Sequence, residues 1–451
     1  MNRLFTKTLN LARHPELGFG SAQSYKMGIP KLIRNDRLTR FRHPELVSGS
    51  KWIFKLFLLA FCFSSPSFAQ IEINGSIDFE ASYGGKKSSF ITNEIVEEFR
   101  RPHLGINQFN LFMFAGIDEN FFFNGRLQWD TWGTGELNPV KITLAALSWE
   151  PEDLPINFTL GRFVSPFGLY PRRQLASENL FVNAPLAYGY FINMSDTRGL
   201  WGNAGNEGNY GTDDVGLTTI YFGGYGTGIM TNWVIVPELV DLSVAVTNAA
   251  PASQENFTNL QNMAVVGRFG FQPIIYWQHG ISFSHGSFLR RESVNINFNR
   301  LEKFRQTLIG TDFIIAYAYF EISGEAIYSL WNVPAVDANG FQVTPKGKMQ
   351  TYDLTNASFY VDLKFEPPFF TGSYVAARFE SLMFEEFTNP EGSTLNAPNP
   401  WDENLIRYSA AFGYKVSRNV LLKFAFSEQI FENKDLKKED FTFRSILTVT
   451  M

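Results

Sequence analysis

From Ile71 to Met451 the chain is built of runs of roughly ten residues in which apolar and polar positions alternate. In the last run, FTFRSILTVTM, Phe441, Phe443, Leu447, Val449 and Met451 fall on one face, and Thr442, Arg444, Thr448 and Thr450 on the other. Successive side chains of a strand point to opposite faces, so the pattern predicts a sheet with one apolar and one polar face. Sixteen strands are expected, at about 71–83, 104–117, 121–132, 140–150, 155–164, 227–236, 239–248, 261–271, 276–287, 305–317, 319–331, 351–366, 369–385, 404–416, 419–431 and 441–451.

The connections between these runs alternate in length. Those after every second strand are tight and carry turn chemistry: Asp118-Glu119-Asn120, Pro151-Glu152-Asp153, Pro237-Glu238, Gln272-Pro273, Pro367-Pro368 and Ser417-Arg418-Asn419. The intervening ones are mostly longer and polar. This asymmetry predicts an all-β fold: a single antiparallel transmembrane β-barrel with short periplasmic turns and long extracellular loops. Ile71, Ile73, Ile77, Phe79, Ala81 and Tyr83 would face lipid from the first strand, and Ile406, Tyr408, Ala410, Phe412 and Tyr414 from the fourteenth. Trp132, Trp149, Trp277 and Trp331 sit at strand ends and are expected in aromatic girdles.

Sixteen strands enclose a lumen wide enough for water. Its expected wall carries acids (Asp78, Glu80, Asp130, Glu321, Glu325 and Asp362) and bases (Arg126, Arg268, Lys364, Arg407, Lys423 and Arg444), charges that would face one another across a wet pore. The connection at about 165–226 is the outlier in length, and connections this long are usually functional or disordered. It is rich in charge (Arg172, Arg173, Glu178, Asp196, Arg198) and holds enough apolar residues (Leu180, Phe181, Leu186, Tyr188, Tyr190, Phe191) to fold against something. The expectation is that it folds into the pore and narrows it. The residues expected to line the pore or its constriction are Arg126, Asp130, Arg172, Arg173, Glu178, Asp196, Arg198, Arg268 and Glu325.

The front of the chain supplies an address. Lys51-Trp52-Ile53-Phe54-Lys55, then LFLLAFCF, then small residues at Ser67 and Ala69 have the three parts of a secretory signal, so 51–69 is expected to be cleaved after Ala69. Phe61 is too bulky for the position before a lipidated cysteine, so Cys62 does not suggest a lipoprotein. Residues 1–50 contain RHPEL twice, at Arg13–Leu17 and Arg42–Leu46, with no hydrophobic period, and fit a spurious or unstructured extension from an early start codon. Over 70–451 there remain 28 Lys+Arg against 41 Asp+Glu, a net charge of −13. That balance argues against a nucleic-acid partner. The chain's one cysteine falls within the signal, so the barrel holds no thiolate site.

Gly161-Arg162-Phe163 followed by Pro166-Phe167-Gly168-Leu169-Tyr170 resembles the segment that precedes the long third loop of Gram-negative outer-membrane porins, above all the phosphate-selective porin group. The motif covers about ten residues, while strand count and loop plan extend the likeness over 70–451. The resemblance implies a sixteen-stranded, often homotrimeric diffusion channel with an inward-folded constriction loop. Phosphate selection in that group rests on rows of arginine and lysine; the mixed lumen here departs from it, as does a C-terminus on Met451 where an aromatic residue is usual.

Chemistry of other kinds has little support. His279 and His285 share a strand face without a nucleophile or ligand cluster beside them, and no nucleotide loop or metal-ligand string is present. The expected function is therefore a non-enzymatic porin of the Gram-negative outer membrane, without cofactor or metal, exported through its signal peptide and surrounded by lipid. Small hydrophilic solutes or ions would diffuse through it. The alternative is a non-conducting barrel, plugged by the same loop, that acts as an anchor or assembly partner.

Overall fold

The computed structural model describes residues 71–85, 102–129, 140–196, 199–201, 217–221, 224–253, 263–289, 304–337, 340–341, 351–386, 400–432 and 440–451. The expected signal at 51–69, the extension 1–50, Asp130, Trp132 and Arg198 lie outside these residues.

Sixteen strands form one antiparallel sheet. They are β1 (Ile71–Gly84), β2 (His103–Gly116), β3 (Phe121–Trp129), β4 (Lys141–Trp149), β5 (Ile156–Val164), β6 (Tyr225–Val236), β7 (Val240–Thr247) and β8 (Ala264–Ile274). The second half comprises β9 (Trp277–Ser287), β10 (Arg305–Tyr317), β11 (Phe320–Asp337), β12 (Thr351–Phe365), β13 (Ser373–Phe384), β14 (Leu405–Ser417), β15 (Val420–Phe431) and β16 (Phe441–Thr450). Each strand pairs with the next, and β1 pairs with both β2 and β16, so the sheet closes into a barrel without an edge.

The tight connections all fall at one end. Asp118 Oδ1 accepts hydrogen bonds from the backbone N–H groups of Asn120 and Phe121, both 2.8 Å, which fixes the β2–β3 turn. Glu238 and Ala318 take positive φ, 67° and 52°, at two other turn tips. One expected turn moves: Pro273 lies within β8, and the tip is Ile275-Tyr276. The β8–β9 register is irregular between Phe271 and Ile274, which places the proline where the ladder does not need its missing N–H. Aromatic pairs collect at the same end: Phe320 stacks on Phe365 at 4.7 Å, Phe370 on Tyr414 at 5.0 Å, and Tyr276 meets Tyr317 at 5.8 Å. They form the girdle expected at a membrane interface.

The period-two pattern is realised with the apolar face outward. On β1, Ile71, Ile73, Phe79 and Tyr83 are exposed while Asp78, Glu80 and Ser82 are buried. On β14, Tyr408 is exposed and Arg407 and Ser409 are buried. Exposed apolar side chains cover the outer wall, as contact with lipid requires. Trp331 departs from the girdle expectation. It shares parity with Glu325 on β11, points inward, is buried, and donates its Nε1–H to Asn356 Oδ1 at 2.8 Å. A strand-end tryptophan is a girdle residue only when its parity is outward.

Inward polar residues were expected to be wet. Instead Asp78, Glu80, Arg126, Glu325, Arg407, Lys423 and Arg444 are all buried. For Glu325, Arg407, Lys423 and Arg444 the covering atoms belong to the connection between β5 and β6.

Candidate functional site inside the barrel

The segment that leaves β5 at Ser165 turns into the barrel, and its apolar residues pack on inward-facing wall residues in three clusters. Phe167, Tyr170, Ala187 and Tyr188 meet Val266 of β8, Leu308 of β10, Ile327 of β11 and Tyr360 of β12. Phe181 and Val182 meet Ala376, Ala411, Ala425 and Ile446 of β13 to β16. Leu186, Tyr190, Ile192, Met194 and Leu217 meet Trp331, Tyr352, Leu382, Leu405 and Phe431 at the long-loop end. Small wall residues at 376, 411 and 425 leave the room that Phe181 fills. Gly199–Trp201 pairs in parallel with Ala335–Val336, the projecting end of β11, and so extends the small sheet begun by Met194–Ser195.

Polar contacts then fix the segment. Near its start the carboxylate of Glu325 accepts the backbone N–H groups of Leu169 (3.3 Å) and Tyr170 (3.4 Å) and the hydroxyl of Tyr188 (2.7 Å). Gly168 makes this approach possible: its φ is +66°, and a Cβ there would lie 1.8 Å from Glu325 Oε1. Gly168→Ala is expected to lower the unfolding midpoint by an amount equivalent to about 1–3 kcal/mol, the typical range for a strained left-handed position, with the clash adding to it. A urea titration of the barrel in vesicles checks this, and an unchanged midpoint would contradict the close packing.

Further along, four cations on successive strands donate to the segment. Arg378 on β13 bonds Asn183 O at 3.3 Å, and Arg407 on β14 bonds Ala184 O at 2.5 Å. Lys423 on β15 bonds the carbonyls of Ala176 and Asn179, both at 2.5 Å, and Arg444 on β16 bonds Asn183 Oδ1 at 2.5 Å. Three of the four are also held bidentately by a wall carboxylate: Arg378 by Asp362, Arg407 by Glu380 and Arg444 by Glu80, with distances of 2.6–2.9 Å. Glu380 in turn accepts the Leu186 N–H at 2.8 Å, the first residue of the short helix Leu186–Gly189. The charges therefore pair along the wall and onto the segment rather than across an open pore.

Of the residues expected at a constriction, Arg173 pairs with Glu321 at 2.5 Å, and Arg268 pairs bidentately with Asp312 at 2.6 and 2.9 Å. The second pair spans β9 at Gly280, where any side chain would strike both partners. Arg172 is half-buried in the field of Arg268, Asp312, Asp241 and Glu325, so three of the expected residues, Arg172, Arg268 and Glu325, stand near one another. Arg126 sits apart on β3, bonded to Asn110 Oδ1 at 2.8 Å and to the Tyr225 hydroxyl at 2.6 Å. Glu178 is half-buried in the field of Lys423, and Asp196 is buried. Arg378, Glu380, Asp312 and Asn183 were missed. Arg378 and Glu380 share inward parity on β13, a legible signal; nothing in the chain marks Asn183.

No family model matches this chain, and no curated protein matches it. Solved structures do. It is similar to a loop L8 deletion mutant of OmpT, an outer membrane protein of Vibrio cholerae, at 8% identity and TM-score 0.52, over 85% of this chain and 99% of that one. Outer-membrane expressed OmpT of Vibrio cholerae gives 9% identity and TM-score 0.50, covering 84% of this chain and 97% of that one. Salmonella typhi OmpF in complex with daunomycin gives 11% identity and TM-score 0.50, covering 86% and 99%. At these identities the likeness is one of fold: a closed antiparallel β-barrel.

Proposed function

We propose that this protein is a porin-type channel of the Gram-negative outer membrane, passing small hydrophilic solutes or ions, with passage restricted by the segment between β5 and β6. The observation that carries the reading is the lodging of the described residues between Phe167 and Met194, with Leu217 and Ile220, against the inward faces of the wall strands. Charged walls in a barrel of this size suit aqueous transit rather than a packed core. The fold shared with OmpF supports the compartment, and a homotrimer fits the same plan. Phosphate selectivity is not favoured: a row of anion-binding cations would need its charge available, whereas Arg378, Arg407 and Arg444 each hold a carboxylate.

The near-complete burial of Lys423 and Arg444, each 0% exposed, favours a second reading in which the segment plugs the barrel and the protein is an anchor or assembly partner. Planar-bilayer recording separates the two. Stable conductance steps, with a reversal potential showing modest cation preference that fades as salt rises, are expected from the net charge of −13 over 70–451. Silence from a folded barrel would favour the anchor, and an anion-selective reversal potential would revive the phosphate reading.

A further inference from the structure

The tight connections differ in what they place at their tips. Those of β2–β3, β4–β5 and β14–β15 carry charge there: Asp118 and Glu119, Glu152 and Asp153, and Arg418. Those of β8–β9, β10–β11 and β12–β13 are neighbours around the barrel, and their tips are apolar. Ile275 at the first and Phe369 at the third are each 86% exposed, and Tyr317 and Tyr319 at the second are 71% and 50% exposed. Glu366, the charge in the third connection, pairs with Lys364 at 2.6 Å. The β6–β7 connection, beside this arc, is intermediate: Glu238 at its tip stands between exposed Val236 and Leu239. The tight-turn rim thus has an apolar arc from β8 to β13 and a charged arc running from β14 through β1 to β5. Single exposed apolar residues are ordinary, but three consecutive apolar tips form a patch of the kind that marks an interaction surface.

We propose that this arc is immersed in the adjoining lipid leaflet, so that the barrel sits tilted, with the β8–β13 side of the rim deeper than the charged side. Continuity with the outer wall selects lipid as the occupant. Tyr276 meets Tyr317, and Phe370 stacks on Tyr414, next to the exposed wall residues Ile315, Ile322 and Val375, so the apolar band runs from the wall onto the tips. The tips are also separate hairpins, roughly 10 Å apart from two strand spacings, and fluid acyl chains can surround each of them. Tyr317 and Tyr319 bring rings with a polar end, which suit the boundary between lipid and water. The charged tips cannot follow, because Asp118, Glu119 and Arg418 would lose their hydration in hydrocarbon. That contrast sets the direction of the tilt. The inference rests on the outer wall facing lipid and is independent of whether the barrel conducts.

Site-directed spin labelling tests this in the full chain, folded into phosphatidylcholine vesicles, with Cys62, its only cysteine, changed to alanine. Labels are introduced singly through Ile275→Cys, Phe369→Cys, Glu119→Cys and Arg418→Cys, with Phe283→Cys as a reference on the exposed outer wall. Heat-modifiable gel migration verifies that each variant folds. Oxygen concentrates in lipid and a nickel chelate in water, so the ratio of their collision rates with the label reports depth. The ratio is expected to be several-fold higher at 275 and 369 than at 119 and 418, and to approach that at 283. Equal nickel access at all four tips would overturn the tilt. Exclusion of both reagents at 275 and 369 would also overturn it, in favour of a protein contact. A label at 283 that reads as water would refute the lipid-facing wall itself. A further label, introduced by Tyr319→Cys, leaves both key tips intact. It should read as lipid beside the native Ile275 and Phe369 and move toward nickel access in the Ile275→Glu/Phe369→Glu background. No movement would count against immersion through these tips.

Discussion

Removing residues 174–213 and joining the ends with a short flexible linker is expected to raise single-channel conductance several-fold while the barrel still folds. The two halves of that expectation rest on different contacts. The ladder is independent of the segment, because β5 pairs directly with β6 from Ile156↔Trp233 to Val164↔Tyr225, and β16 closes on β1. The roots of the segment also stand together, joined by the Ser165–Gly224 hydrogen bond, and residues 166–173 remain to span toward the rejoined end. What the deletion removes is bulk inside the wall: Leu175, Phe181, Val182, Leu186, Tyr188, Tyr190, Ile192 and Met194, each buried there. Arg378, Arg407 and Arg444 would keep their carboxylate partners and gain water in place of backbone carbonyls. Heat-modifiable gel migration verifies folding, and bilayer recording reads the current. A silent wild type that becomes conducting on deletion identifies a plug; a conducting wild type that conducts more identifies a constriction. Equal conductance in two folded proteins would remove the segment from the path altogether.

The architecture was largely legible because a membrane barrel is written in a two-residue period. Each side chain's environment follows from its parity, so strand limits and facing agree with the chain's own alternation on β1, β14 and β16. Parity also explains the errors. A place near a strand end suggests a girdle for Trp331, but six residues from inward Glu325 it must face inward as well. Partnership is a different matter. Asp362 stands directly opposite Arg378, and Glu380 opposite Arg407, but this follows from registers that depend on the closed sheet. The Arg268–Asp312 pair crosses a whole strand through the gap at Gly280, which no local pattern announces. The inward lodging of the described part of the 165–226 connection could be expected from its apolar content, but the burial it imposes on the wall could not. That burial arises from contacts more than a hundred residues apart, such as Lys423 with Ala176.

That burial makes the Glu380–Arg407 pair a sensitive point on the wall. The two side chains are 1% and 5% exposed, and their contact is bidentate at 2.7 and 2.9 Å. Glu380→Ala would remove the carboxylate that holds Arg407 bidentately in a buried site and would also orphan the Leu186 N–H, so a loss of about 3–5 kcal/mol in folding stability is expected. Arg407→Ala would strand the carboxylate and free the Ala184 carbonyl, with a cost in the same range. Glu380→Leu combined with Arg407→Met removes both charges and fills the space with apolar atoms. It should cost less than either single change, because the desolvation of the two ions disappears with their attraction. The remaining cost is that of the Leu186 N–H and the Ala184 carbonyl, about 1–3 kcal/mol for each buried group left without a partner. Urea unfolding of the four proteins in vesicles compares these costs directly. If the double variant is as unstable as the sum of the singles, the pair is not desolvated, and water must then reach the wall beneath the segment. The same outcome would favour conduction over a plug, since water at Arg407 means an aqueous path past the short helix at Leu186.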